Sequence, residues 1–95
     1  MKAKFTGYES YHGGRAEYFS VSKVNAEGII PRGTARVDLR YVGGRLDDVE
    51  FHPNPNLSYG NWRRQKDKLD AIPTTPESMR AIRRLLRRSS RGHSV

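Results

Sequence analysis

The sequence predicts an α+β fold: a four-stranded, mostly antiparallel sheet of two β-hairpins, covered on one face by a C-terminal amphipathic helix. The first half of the chain is rich in Tyr, Val and Phe, and two Gly-Gly pairs, which are typical of hairpin turns, divide it. The last third carries apolar residues at helical spacing. We expect one domain over residues 1–95, with a modest core because the chain is short.

Four segments are predicted to be strands, because β-branched and aromatic residues are frequent in them. They are Phe5–Tyr11, Glu17–Val24, Ala35–Val42 and Leu46–His52. Residues 1–52 are therefore expected to form a β-hairpin scaffold. The two turns share a pattern, with Tyr-His-Gly-Gly-Arg at 11–15 and Tyr-Val-Gly-Gly-Arg at 41–45. Two copies prove little, since convergence on good hairpin residues explains this echo equally well.

The pairing within each hairpin is predicted from the need to place apolar side chains on one face of the sheet. In the first hairpin a two-residue turn satisfies this need best. The resulting pairs are Tyr8 with Phe19 and Thr6 with Val21. In the second hairpin a three-residue loop at 43–45, with a glycine in the left-handed region, satisfies it better. The resulting pairs are Val37 with Phe51, Leu39 with Val49 and Arg40 with Asp48.

The segment Asn25–Gly33 separates the two predicted hairpins. It contains Ile29 and Ile30 directly before Pro31, which stops ladder pairing. We therefore expect a loop that packs both isoleucines against the edge of the core.

Residues 53–75 are expected to form an irregular connection, because prolines and a glycine interrupt them. Within this connection Asn61 is a candidate N-cap for a short helix, Trp62–Ala71. Trp62, beside four cations, is a candidate for stacking on a base. It is the only Trp of a core-poor chain, so a place in the core is the favoured interpretation.

A helix is predicted over residues 76–90, followed by a flexible tail at 91–95. Thr75 suits the N-cap, Pro76 the first helical position and Glu77 the first turn. At about 100° per residue the apolar side chains occupy one side of this helix. They are Met79, Ala81, Ile82, Leu85 and Leu86. Six arginines occupy the other side, with no acid among them, so the helix has one face for a core and one for anions.

Positive charge is concentrated in the last third of the chain. The net charge is +8, yet residues 1–59 hold eight Lys or Arg against seven Asp or Glu, whereas residues 60–95 hold ten against three. A field of one sign attracts anionic partners. The ten cations after Gly60 are the candidate binding residues for nucleic acid or for an acidic partner: Arg63, Arg64, Lys66, Lys68, Arg80, Arg83, Arg84, Arg87, Arg88 and Arg91.

The favoured function is that of a small, non-enzymatic nucleic-acid-binding protein, whether for DNA or RNA, that uses the C-terminal helix for phosphate contacts. The planar fork of arginine suits phosphate oxygens. We expect a cytoplasmic protein without cofactor or metal, and exposed sheet edges make a homodimer plausible. The alternative is an inhibitor of the phage or mobile-element type, for example an anti-CRISPR-like antagonist. Such an inhibitor would bind an acidic protein surface or a nucleoprotein complex.

Other interpretations are less favoured. The arginines could form a solvated face that pairs with the strand acids Asp47, Asp48 and Glu50. The tyrosines could stack on bases, although Tyr is common in strands for other reasons. The helix could bind anionic lipid, but its apolar side lacks aromatics and is needed by the sheet. No apolar run approaches the roughly 20 residues that cross a bilayer, and the N-terminus does not resemble a signal peptide.

Enzymatic chemistry has only weak candidates. The chain has no cysteine, which excludes disulfides and thiolate chemistry. A ribonuclease-like site would combine His12 with a carboxylate, Glu9 or Glu17, and with Arg15 for general acid–base cleavage of RNA. Glu50 and His52 lie two residues apart on one predicted strand face and could ligate a metal.

Overall fold

The computed structural model describes residues 1–24 and 28–91, and in these residues four strands are followed by two helices. The strands are β1 (Lys2–Tyr11), β2 (Gly14–Ser22), β3 (Arg36–Val42) and β4 (Arg45–His52), and the helices are α1 (Tyr59–Asp70) and α2 (Pro76–Arg91). The strands form one antiparallel sheet in the order β1-β2-β3-β4. The predicted α+β fold is confirmed.

The first hairpin does not have the predicted pairing. Its two-residue turn lies one position earlier, at His12-Gly13, and Gly13 has a φ of 86°, which favours glycine. The register then shifts at Thr6, between Phe5 and Gly7. The observed pairs are Ala3 with Val21, Phe5 with Phe19 and Tyr8 with Glu17. One extra residue in β1 therefore restores apolar pairing that the turn alone would not give.

The second hairpin has the predicted pairing but a different turn. Val37 pairs with Phe51 and Leu39 with Val49, as expected. The turn itself is the two-residue pair Gly43-Gly44, with φ values of 57° and 80°. The register shift occurs inside β4, where one extra residue, Asp47, separates Leu46 from Asp48. A two-residue turn plus a bulge thus replaces the expected three-residue loop.

The core lies between one face of the sheet and α2. The buried sheet residues on this face include Phe19, Val37 and Leu39, and α2 contacts both β1 and β4. The apolar side of α2 fits onto them, with Met79, Ile82 and Leu86 buried. The predicted amphipathic helix is therefore confirmed.

The start of α2 has the predicted cap. The Thr75 hydroxyl accepts a hydrogen bond from the Ser78 backbone N–H at 3.1 Å, and the Ser78 hydroxyl accepts one from the Thr75 N–H at 2.9 Å. This reciprocal pair satisfies free N–H groups of the first turn. The helix extends through Arg91, one residue beyond the expected end. Residues 92–95, most of the predicted tail, lie outside the described residues.

The short helix α1 is present but begins earlier than predicted. It starts at Tyr59, because the Trp62 N–H already donates to the Ser58 carbonyl at 2.8 Å. The predicted cap, Asn61, lies in the first turn, where its side chain accepts a hydrogen bond from Arg64. Trp62 is half-buried and is not in the core cluster, contrary to the expectation, and Leu69 is the buried residue of α1.

The loop between the hairpins follows the prediction in part. Ile30 is buried in the core cluster, whereas the side chain of Ile29 is about half exposed. Residues 25–27 of this predicted loop lie outside the described residues. Neither helix in the described part of the chain is long and apolar enough to cross a membrane.

The second face of the sheet is organised by buried charge. Asp38 is fully buried, and its carboxylate accepts hydrogen bonds from Arg36 at 2.7 and 2.9 Å and lies 3.0 Å from His52 Nε2. Burial by itself would raise the pKa of Asp38, but the hydrogen bonds from His52 and Arg36 outweigh it and hold this pKa at about 2. Asp38 is therefore ionised wherever the protein is folded at ordinary pH.

The packing of α2 makes Leu86 a sensitive position. We expect Leu86→Ala to lower the free energy of unfolding by about 3 kcal/mol, because Leu86 is fully buried between α2 and the sheet. Leu85→Ala is the matched control, since Leu85 is only partly buried and should cost about 1 kcal/mol. Urea unfolding followed by circular dichroism measures both. Equal losses would contradict the described orientation of α2.

The Asp38 cluster predicts acid sensitivity. The pKa of Asp38 is lower in the folded protein than its ordinary value of 3.8. The resulting stabilisation, about 2 kcal/mol, is present above pH 3.8 and is lost as the pH falls toward 2. Urea unfolding at several pH values should therefore show a smaller loss below pH 4 for Asp38→Asn than for the wild-type protein. Asp47→Asn, an exposed acid outside the cluster, should keep the wild-type pH dependence.

Candidate nucleic-acid interface

The arginines of α2 form two rows along the exposed side of the helix. Residues four apart lie on one side of a helix, so one row is Arg80, Arg84 and Arg88 and the other is Arg83, Arg87 and Arg91. Each row rises about 12 Å along the helix axis. Arg83 is half-buried and the other five arginines are exposed. Because the opposite side of α2 is fixed in the core, both rows have a set position on the protein.

The first row is not neutralised by neighbouring acids. Within residues 1–24 and 28–91, Arg80, Arg84 and Arg88 form no ion pair. The strand acid Glu50, one candidate partner from the sequence, pairs instead with Arg40 and Lys66 at 3.0 Å each. In the second row Arg87 lies 3.6 Å from Glu17. The first row therefore presents unpaired guanidinium groups to the solvent.

The cations of α1 have other surroundings. Arg63 pairs with Asp67 at 3.8 Å, and Lys68 is exposed. Arg64 donates to the side chain of Asn61. Lys66 is half-buried, and its ammonium group donates to Glu50, to the Phe51 carbonyl and to Asp70 at 3.0, 2.9 and 2.7 Å. Lys66 thus links α1 to β4 through hydrogen bonds. Of the ten predicted binding residues, the structure brings together the six arginines of α2.

A groove runs between α2 and the two hairpin turns. Its central part has a volume of about 600 Å³. The residues that line this part are Ser10, Gly13, Gly14, Arg15, Tyr41, Gly43, Gly44, Arg83 and Arg87. The turns lie side by side, since the Gly43 N–H donates to the Gly13 carbonyl at 3.3 Å. We call this concavity, with its extensions along α2, the turn-side groove.

The turn-side groove extends toward both ends of α2. Toward the start of the helix, Gly44 and Arg83 also line a hollow with Arg45 and Arg80. Toward the end of the helix, Arg87 also lines a third hollow. The other residues that line it are Phe5, Glu17, Phe19, Ser90 and Arg91. The three hollows are therefore neighbours along α2, since each flanking hollow shares residues with the central one.

Tyr41 and Glu17 hold two arginines of the groove in place. Arg15 donates to Glu17 at 3.1 Å, and its guanidinium carbon lies 5.2 Å from the centre of the Tyr41 ring. Arg87 donates to the Tyr41 hydroxyl at 3.2 Å. Burial and then the nearby Glu17 carboxylate raise the pKa of Tyr41, so its hydroxyl is neutral near pH 7. With Arg83, three guanidinium groups face one carboxylate, and the central groove is net positive.

The opposite face of the sheet holds the residues considered for a metal. The ligand atoms of Asp38, Glu50 and His52 all lie within 4.8 Å of one another. Arginine side chains contact both acids, with Arg36 2.7 Å from Asp38 and Arg40 3.0 Å from Glu50. These cations already use the carboxylate oxygens and oppose a further positive charge. The arrangement is therefore that of an internal ion network.

The residues considered for a ribonuclease-like site are dispersed. His12 is exposed in the first turn. Glu9 accepts a hydrogen bond from Tyr18 on the face of the ion network, whereas Glu17 lies on the face of α2. The described geometry does not gather Glu9, His12 and Glu17 around one reacting position.

The sheet residues of the groove were not among the predicted site residues. Arg15, Tyr41 and the two glycine turns lie in the nearly neutral first half, which the charge distribution marks as scaffold. The sequence feature that could have identified them is the similarity between residues 11–15 and 41–45. Both segments contain a tyrosine, two glycines and an arginine, and both lie at the groove.

Comparison of the chain with family models, curated proteins and solved structures finds no match. The argument for a function therefore depends on the geometry and charge of the molecule itself.

Proposed function

We propose that the protein binds nucleic acid through phosphate contacts made by the arginines of α2. The observation that carries this proposal is the row Arg80, Arg84 and Arg88, which forms no ion pair among the described residues. A face that serves only solubility normally mixes both signs of charge, because pairs four residues apart stabilise a helix. Unpaired guanidinium groups of one sign instead favour a polyanion.

The placement of the arginines supports phosphate as the group that they contact. Each guanidinium offers a planar set of donors that matches phosphate oxygens. A row about 12 Å long is several times the axial spacing of phosphates in one DNA strand, about 3.4 Å, so several phosphates are within reach of one helix. Because α2 is already folded on the sheet, little ordering of the backbone opposes binding.

The proposed role is binding without catalysis. His12, the histidine of the ribonuclease-like site considered above, is exposed in a turn, and Glu9 and Glu17 lie on opposite faces of the sheet. The arginine rows supply charge and hydrogen-bond donors but no group that titrates near pH 7. An acidic protein surface could meet the same charges, and the inhibitor hypothesis is therefore tested by the same experiment.

Charge reversal in the first row tests the proposal. We expect Arg84→Glu with Arg88→Glu to weaken binding to DNA and RNA at least tenfold at about 50 mM salt, because phosphate contacts dominate such affinities. Fluorescence anisotropy with labelled oligonucleotides measures the change. The wild-type affinity should fall steeply as salt rises to about 200 mM, and the variant should show a shallower slope.

Lys4→Glu with Arg32→Glu is the matched control, since it removes the same net charge at exposed positions outside α2. The control should keep wild-type affinity to within about threefold, and circular dichroism should show that both variants fold. Absence of binding to any DNA or RNA at about 50 mM salt would contradict the proposal. Capture of an acidic protein that the α2 variant no longer binds would then favour the inhibitor hypothesis.

A further inference from the structure

We infer that the turn-side groove is a binding site for single-stranded nucleic acid, with phosphates along its arginine wall and an unpaired base against Phe5. This inference depends on the proposed function, which it deepens by naming the form of nucleic acid and the position of the strand. It extends the site from α2 to the sheet, where the favoured interpretation of the sequence placed no binding residue.

The shape of the groove suits an extended strand. Its three hollows are neighbours that share Arg83 and Arg87 as lining residues, and they follow α2 from Pro76 to Arg91. Sixteen helical residues rise about 24 Å. A path of this length accommodates about four nucleotides, which is the lower end of known single-strand sites. The central hollow has a volume of about 600 Å³, which lies within the range of small-molecule binding sites in proteins.

The floor of the groove is open because three of the four residues in the two turns are glycines. Gly13, Gly43 and Gly44 have φ values of 86°, 57° and 80°, which glycine adopts without strain. A Cβ atom at any of the three would meet nothing within 4 Å, so the space above these turns is solvent. A chain that lies along α2 can therefore approach the backbone of the sheet closely.

The arginines that line the central groove, Arg15, Arg83 and Arg87, are held in position by neighbouring side chains. Arg15 is stacked on Tyr41 and bonded to Glu17, and Arg87 donates to the Tyr41 hydroxyl at 3.2 Å. Glu17 reduces the positive charge but fixes the direction of both guanidinium groups. Arg15, Arg83 and Arg87 keep a net positive charge against this single carboxylate. Guanidinium groups that are already held in one orientation lose less rotational freedom on binding phosphate than mobile ones do.

An exposed aromatic side chain at the end of the groove distinguishes single strands from duplexes. Phe5 lines the hollow beside Arg87, and 45% of its surface is exposed although it lies on the core face of the sheet. Its ring meets Phe19 edge to face, with centroids 5.5 Å apart. Tyr8, on the same face of β1, is 65% exposed. A base stacks on such a ring only when it is unpaired, and such stacking tolerates any base.

The test compares labelled single strands of about 12 nucleotides, DNA and RNA, with the corresponding duplexes at about 50 mM salt. We expect the wild-type protein to bind at least one single strand about tenfold more tightly than its duplex. Phe5→Ala should weaken single-strand binding about fivefold or more and leave duplex binding unchanged, because only an unpaired base stacks on Phe5. Tyr59→Ala, an exposed aromatic on α1, is the matched control and should change neither affinity.

A second variant keeps the test valid if Phe5→Ala disturbs the contact with Phe19. Arg83→Gln removes a charge from the lining of the central groove, and Arg84→Gln removes one from the first row of α2 arginines. The loss of single-strand affinity should be at least threefold greater for Arg83→Gln. Two results together would contradict the proposed groove site: the wild-type protein binds the duplex at least as tightly as the single strand, and the two variants lose the same affinity. The proposal of nucleic-acid binding by α2 would still stand. Failure to bind either form would contradict both proposals.

Discussion

The structure depends on the contact between the apolar side of α2 and one face of the sheet. Ile82 and Leu86 are buried there against strand residues that would otherwise face water. This contact completes the core, and it also fixes which side of α2 points outward. The arginine rows, the position of the turn-side groove and the approach of Arg87 to Tyr41 all follow from it. The hydrophobic effect thus determines where the positive charge of the protein is displayed.

The two faces of the sheet are stabilised in different ways. One is covered by a helix, whereas the other carries Asp38 and Glu50 surrounded by Arg36, Arg40 and Lys66. A buried charge is tolerated only with close partners, and each of these acids has at least two. Lys66 belongs to this network and fastens α1 to β4. The cations of the protein therefore serve two purposes, and only those outside the network are available to a partner.

Local patterns predicted the elements that local physics controls. The caps and the 3.6-residue period identified α2, and the apolar alternation identified the pairing of the second hairpin. The bulge at Thr6 was not predictable in this way, because it compensates for a turn one residue earlier. The half-buried position of Trp62 and the pairing of Lys66 depend on tertiary contacts. The groove requires two turns 30 residues apart to be adjacent; the sequence echo marks their residues, but the contact between them depends on the pairing of β2 with β3.

The adjacent glycine turns constrain how this protein can change over time. Gly43 and Gly44 both have a positive φ, so a side chain at either position would strain the hairpin even though space for it exists. Substitutions that change the lining of the groove without straining the turns are therefore expected at its other positions, such as Ser10 and the arginines of α2. The backbone of the glycine turns is therefore constrained by the hairpin, whereas the arginine side chains of α2 are not.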